Sequence, residues 1–216
     1  MEINELEKLL KSRRSIRRWK KDEVPEELLK KAVELATWAP NGGNFQGWHF
    51  IAVEKKEMIK KMADAVQAVA DKIAAWPEAQ TWKEEVERYL KNASFFKEAP
   101  VCIAVFISRY QSVADKILIS RESFDPEAKQ ILEFRRSAAT AIQSAAAAVT
   151  TMLLSFHQMG LGAVWMAAPL QAKKKIETLL NVPAEMDLVA LVAVGYPAES
   201  PIKDRKPVDQ VLEFVK

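Results

Sequence analysis

Three arginines and a serine fall within five residues near the start of the chain: Arg13-Arg14-Ser15-Ile16-Arg17. Guanidiniums are planar, permanently charged and bidentate, so this cluster suits a phosphate. The same residues also read as a solvated basic patch or, with Arg18, Lys20 and Lys21, as a weak attractor of nucleic acid. A second stretch runs Ala39-Pro40-Asn41-Gly42-Gly43-Asn44-Phe45-Gln46-Gly47-Trp48-His49-Phe50. Paired glycines let backbone approach a flat ligand closely. Asn44 and Gln46 each bring donors and acceptors. The plainer reading is a polar turn. Two later stretches, Gly160-Leu-Gly162-Ala-Val-Trp165-Met166-Ala167-Ala168-Pro169 and Lys203-Asp-Arg205-Lys206-Pro207, are by themselves a helix cap before a strand and a solvated charge run.

What the chain lacks narrows the chemistry. It spends only six glycines on 216 residues, where average usage gives about fifteen. There is no G-x-x-x-x-G-K-[ST] loop and no G-x-G-x-x-G, so neither a phosphate loop nor an ordinary dinucleotide fingerprint is present. The single cysteine, Cys102, sits inside the apolar run Val101–Ile107 and reads as a buried small hydrophobe. It cannot form an internal disulfide, which fits a reducing compartment. Cys102, His49 and His157 offer no zinc pattern, so no metal is expected. His49 reads as a structural residue on a strand. A net charge of +3 is too small to argue for a nucleic-acid partner.

The elements must position these residues. Apolar spacing predicts a short helix over 2–11 and a second one opened by Pro25 and stopped before Pro40. Trp48–Val53 reads as a strand, 56–75 as a helix and 78–92 as another after Pro77. Val101–Ile107 is a buried strand. Residues 109–125 read as polar and irregular. A long helix is expected from Pro126 to about Met159, ended by a left-handed cap at Gly160. Strands follow at Ala163–Ala167 and Asp187–Val194, with a helix over 170–180 between them. The tail reads as polar, then extended at 208–215. Ser137 to Ala172 contains no charged residue. Its polar interruptions and alanine bias point to the centre of a core rather than a membrane span. The charged, amphipathic start is unlike a signal peptide. The expectation is one domain over 1–216, of α+β class, with a mixed sheet covered by helices, in the cytoplasm.

Taken together, in this order and spacing, the four stretches resemble the nitroreductase family of flavoproteins. The family's R-R-S-x-R appears as Arg13-Arg14-Ser15-Ile16-Arg17. Its A-P-S-G-x-N-x-Q-P-W appears as Ala39 to Trp48, with Asn41 in place of Ser and Gly47 in place of Pro. Its G-L-G turn is Gly160-Leu161-Gly162. Its late G-Y-P and basic K-x-R are Gly195-Tyr196-Pro197 and Lys203-Asp204-Arg205.

The resemblance implies an entwined homodimer with FMN bound at the subunit interface and NAD(P)H as electron donor to a small-molecule acceptor. It implies that Arg13, Ser15 and Arg17, with Arg14 beside them, hold the ribityl phosphate, and that Lys203 and Arg205 close on it. Pro40, Asn41, Gly42 and Asn44 are expected from the other subunit, lining the flavin. The backbone at Met166, Ala167 and Ala168 is expected near flavin N5. Gln46 and Trp165 complete the expected cofactor-binding set. The tail, about 198–216, is expected to wrap onto the partner, in an interface above about 2,000 Å². No protein acid, base or nucleophile is then required, because the flavin carries the hydride chemistry. The absence of a hydroxyl at 166–168 argues against the family's dehalogenating branch. Trp76, Trp82, Tyr89, Phe95 and Phe96 are candidates for an aromatic lid, with helix-face packing as the alternative. The leading expectation is reduction of nitroaromatics or quinones in alternating half-reactions. The alternatives are an enone reductase, a heterocycle dehydrogenase, a flavin-fragmenting enzyme or a flavin-binding protein without turnover. Neither nucleic acid nor membrane is expected as a partner.

Overall fold

The computed structural model describes residues 2–108 and 110–215; residues 1, 109 and 216 of the expected 1–216 domain lie outside the described residues. Four strands form one sheet: β1 (Trp48–Val53), β2 (Val101–Ser108), β3 (Gly162–Met166) and β4 (Met186–Gly195), in the order β1-β2-β4-β3. Eight helices accompany them: α1 (Ile3–Ser12), α2 (Glu26–Ala36), α3 (Lys56–Ala74), α4 (Lys83–Ala93), α5 (Val113–Arg121), α6 (Pro126–Ser137), α7 (Thr140–Gln158) and α8 (Lys173–Leu179).

Both sheet faces are covered, and alternation along β2 shows how. Val101, Ile103, Val105 and Ile107 enter a core with α2 and α7. Cys102, Ala104 and Phe106 enter the opposite core with α3 and α8. Side chains alternate between faces at a period of two, so a strand buried on both sides reads as a continuous apolar run. In β4 the alternation slips once: Leu188 and Leu191 share one core while Ala190 joins the other. The register shift opposite Val105 and Phe106, which leaves Val189 unpaired, accounts for this.

The α+β architecture is as expected, with five corrections of detail. The strands pair antiparallel throughout; the one parallel pairing among the described residues is the bridge between Ser15 and Ala163. The expected irregular stretch 109–125 contains α5. Its signal is a capping box: Ser112 Oγ accepts from Asp115 N, and the Asp115 carboxylate accepts from Ser112 N at 2.8 Å. No residue of α5 is buried, so it lacks the apolar stripe that periodicity detects. The long helix from Pro126 is two helices, because Ala139 takes a left-handed conformation at φ 47°. Gln143 Nε2 donates to the freed Ala138 carbonyl at 2.6 Å. The tail forms a single 3-10 turn at Val208–Gln210 rather than an extended segment. The helix expected over 78–92 also begins later, at Lys83, after a 3-10 turn over Pro77–Trp82.

The span from Pro126 to Gln158 is long and apolar enough to cross a membrane by composition alone. Its second half, α7, instead puts Ala145, Ala148, Val149, Met152 and Phe156 into the core against α2 and the sheet. Gly160, at φ 77°, ends α7, and Leu161 N donates back to Phe156 O at 2.8 Å.

Candidate functional site

The arginine segment is held to the sheet edge by backbone. Ile16 N donates to Ala163 O at 3.1 Å, and Lys20 N donates to Tyr196 O at 2.9 Å. Ala198 N donates to Arg18 O at 3.0 Å. The Glu199 carboxylate accepts from the backbone of both Arg17, at 2.5 Å, and Arg18, at 3.2 Å. Trp19 donates its indole N–H to Gly162 O at 2.8 Å and stacks on Phe95. The buried Ile16 side chain lies where a β-carbon on Gly162 would sit, 2.7 Å from the nearest atom. Gly162 is therefore required for this close approach.

The guanidiniums that result share a small space. Arg14 donates through Nη1 to Lys11 O at 2.5 Å and to Arg13 O at 2.7 Å, and through Nη2 to Lys203 O at 3.5 Å. Its Nε is buried and has no partner. Burial pushes the Arg13 pKa below its usual value, and the nearby charges of Arg205 and Arg14 push it further the same way. Among the described residues, no carboxylate pairs with Arg13, Arg14, Lys203 or Arg205. Like charges gathered without a counter-ion are unfavourable until an anion arrives. The donor set fits a phosphate group, and the orphaned Arg14 Nε is a buried polar atom that still lacks an acceptor.

Arg17 donates through Nη1 to Ser15 O at 3.5 Å. It lines a cavity of about 560 Å³ with Trp165, Met166, Ala167 and Ala168 on one side and Glu85, Arg88, Tyr89, Asn92 and Phe95 on the other. Tyr89 is fixed by donating to Gln171 Oε1 at 2.6 Å, and Gln171 donates to Val66 O at 2.9 Å. Tyr89 and Phe95 are the aromatic lid candidates of this wall; Glu85, Arg88 and Asn92 join them without having been expected. Their signal was present: positions 85, 88, 89 and 92 share one face of α4 at helical spacing.

The loop carrying Pro40, Asn41, Gly42, Asn44 and Gln46 lies apart from this cavity in its own chain. Asn41 Oδ1 accepts from Gln46 N at 3.0 Å, and Gly42 N donates to Ser144 Oγ on α7 at 3.4 Å. Asn44 and Gln46 hold positive φ, 50° and 53°, without being glycine. Such conformations cost about 1–3 kcal/mol each and concentrate at functional sites. Ser15 pairs with Ala163 of β3, two residues before Trp165 of the cavity wall. No group of three or more potential metal ligands occurs among the described residues. The Cys102 thiol is fully buried and pushed up to about 12 by desolvation, so it is not a nucleophile.

The model of the nitroreductase family matches residues 10–196. A protein of Methanothermobacter thermautotrophicus, provisionally named NADH dehydrogenase/NAD(P)H nitroreductase, is 29% identical over 194 residues, 89% of this chain and 77% of its own. The crystal structure of a BluB-like flavoprotein from Clostridium difficile is 26% identical, with a TM-score of 0.85 over 100% of both chains. An oxidised iodotyrosine deiodinase bound to FMN and 3-iodo-L-tyrosine is 25% identical, with a TM-score of 0.68 over 98% of this chain and 97% of that one. The chain belongs to the nitroreductase family of FMN-dependent oxidoreductases.

Proposed function

We propose that the chain binds FMN between the arginine cluster and the 560 Å³ cavity, accepts electrons from NAD(P)H and reduces nitroaromatics, quinones or related acceptors. The observation that carries the reading is the unpaired cluster of Arg13, Arg14 and Arg205 beside a cavity walled by Trp165–Ala168. Bound FMN supplies hydride transfer. The chain supplies placement. Arg13, Arg14, Lys203 and Arg205 hold the phosphate, with Ser15 next to them. Arg17 brings a permanent cation to the cavity, where it stabilises negative charge on a reduced ring. Met166, Ala167 and Ala168 present backbone and small side chains, so a flat ring can lie close. Asn41, Gly42, Asn44 and Gln46 reach the cavity of the partner in a homodimer, which explains their distance from the cavity of their own chain. The protein works in the cytoplasm as one domain.

A specialised branch of the family is the second reading. The polar face of Glu85, Arg88 and Asn92 over the cavity favours it, since a pocket for simple quinones needs no such groups. One experiment separates the readings: anaerobic titration of the purified protein with NADH and then NADPH, followed by a panel of acceptors. Bleaching of bound flavin by a nicotinamide and rapid recovery with a nitroarene or quinone is the expected result. Reduction with recovery only by an enone, a halogenated phenol or oxygen supports the specialised branch. No reduction by either nicotinamide contradicts the proposal.

A further inference from the structure

His157, near the end of α7, is used by no part of the reading above. Ser12 Oγ lies 2.7 Å from its Nε2 and 3.3 Å from Leu9 O. The hydroxyl and Nε2 share one hydrogen, and the imidazole tautomer sets which of them donates. Arg13 and Arg14 face the imidazole from the segment after α1. Burial first, and then these two charges, lower its pKa and hold it neutral in the free protein.

Other packed elements add no competing charge. α1 presents Ser12, carries Glu5 and Lys8, and pairs Lys11 with Glu7, while β3 has no titratable residue. α7 has none besides His157. On α2, Lys30 pairs with Glu26 and Lys31 with Glu34 on the exposed side. On β4, Asp187 pairs with Lys173.

We propose that His157 is a positioning residue for the cofactor phosphate: when the phosphate settles on Arg13 and Arg14, the imidazole takes up a proton and becomes a further cation of the cluster. This rests on the flavin reading above. The reason is linkage. A phosphate dianion offsets the part of that lowering due to Arg13 and Arg14, so proton and phosphate bind cooperatively. Phosphate has its own second ionisation near about pH 6, which opposes the trend at lower pH. Comparison of variants and of two flavins removes that contribution.

The test measures dissociation constants of FMN and of riboflavin, which lacks the phosphate, against pH for the wild type and for His157→Gln. The carboxamide keeps a donor for Ser12 but cannot titrate. The two proteins are expected to bind FMN equally at about pH 8.5, with the variant severalfold weaker once pH falls below the His157 pKa. Riboflavin binding is expected to be the same for both proteins at each pH. Parallel FMN curves for the two proteins overturn the proposal. The chain has two histidines, so His49→Gln leaves one imidazole for proton NMR, independent of whether His157→Gln folds. Its signal is expected to titrate at higher pH with FMN bound than with riboflavin bound; identical titrations overturn the proposal. Failure of the wild type to bind FMN at any pH contradicts the flavin reading instead.

Discussion

Arg14 Nε is buried with no acceptor, and Arg13 is pressed by two neighbouring guanidiniums. Both facts make sense if an anion completes the group, since removing one partner of a charged hydrogen bond costs about 1.5–3 kcal/mol. Arg13→Ala and Arg205→Ala are therefore each expected to weaken FMN binding by that amount, roughly tenfold or more in dissociation constant. Equilibrium dialysis or flavin fluorescence quenching checks this, and unchanged affinity in both variants removes the phosphate from this cluster. At this scale much was legible. A run of guanidiniums is visible in any sequence, and so is its chemistry. The division of labour was not: Arg17 sits two residues from Ser15 yet faces the cavity with Trp165. That outcome depends on how Glu199 and Ala163 anchor the backbone between them, which spacing alone does not record. His157 escaped for the same reason, because its neighbours Ser12, Arg13 and Arg14 are about 145 positions away.

At the scale of elements, the site depends on a close fit between the arginine segment and β3. Gly162→Ala places a methyl group against Ile16. Overpacking of this kind costs about 1–3 kcal/mol. The variant is expected to lose that much stability in urea and to bind FMN more weakly, with Ile16→Ala restoring part of both. A full-strength single variant shows that the segment has room to move. The α5–α6 pair depends on charge instead. Arg135 donates to Asp115 at 2.7 Å, and this bond, followed by those from Ser112, holds the Asp115 carboxyl well below the usual carboxylate range. A depressed folded-state pKa stabilises fully above the unfolded value, about 3.9, and that stability is lost as pH falls through the folded value. Asp115→Asn is expected to lower the urea midpoint from neutral pH down to about pH 4, with the gap to wild type closing below that. A gap that stays constant to lower pH denies the carboxylate this role.

The core strands and α2, α3 and α7 were legible because burial imprints a period on sequence. α5 and the break at Ala139 were not. The first hides no apolar stripe, and the second is a left-handed alanine that no residue type announces.

At the scale of the whole molecule, one chain leaves apolar surface uncovered. Trp38 is 83% exposed, Phe214 76% and Val211 68%. Phe124, Phe134 and Val113 are also open. A partner in the proposed homodimer covers such side chains. In the proposed homodimer the tail crosses onto the partner and the Asn41–Gln46 loop reaches the partner's cavity. Deletion of residues 206–216 is expected to shift the protein toward monomer in sedimentation at low concentration and to reduce flavin retention with it. A truncated chain that stays dimeric removes the tail from the interface. Composition could not anticipate the shape of this surface, because scattered apolar residues in a tail read as polar loop until packing shows that nothing in their own chain covers them.

The unpaired guanidiniums and the cavity beside Trp165 carry the flavin reading. The visible absorbance of the purified protein tests that directly. A bound flavin band is expected, one FMN per chain, restored by FMN after the cofactor is stripped and lost in the Arg13→Ala/Arg205→Ala double variant. A colourless protein that takes up no FMN, or a double variant that retains it fully, contradicts the account.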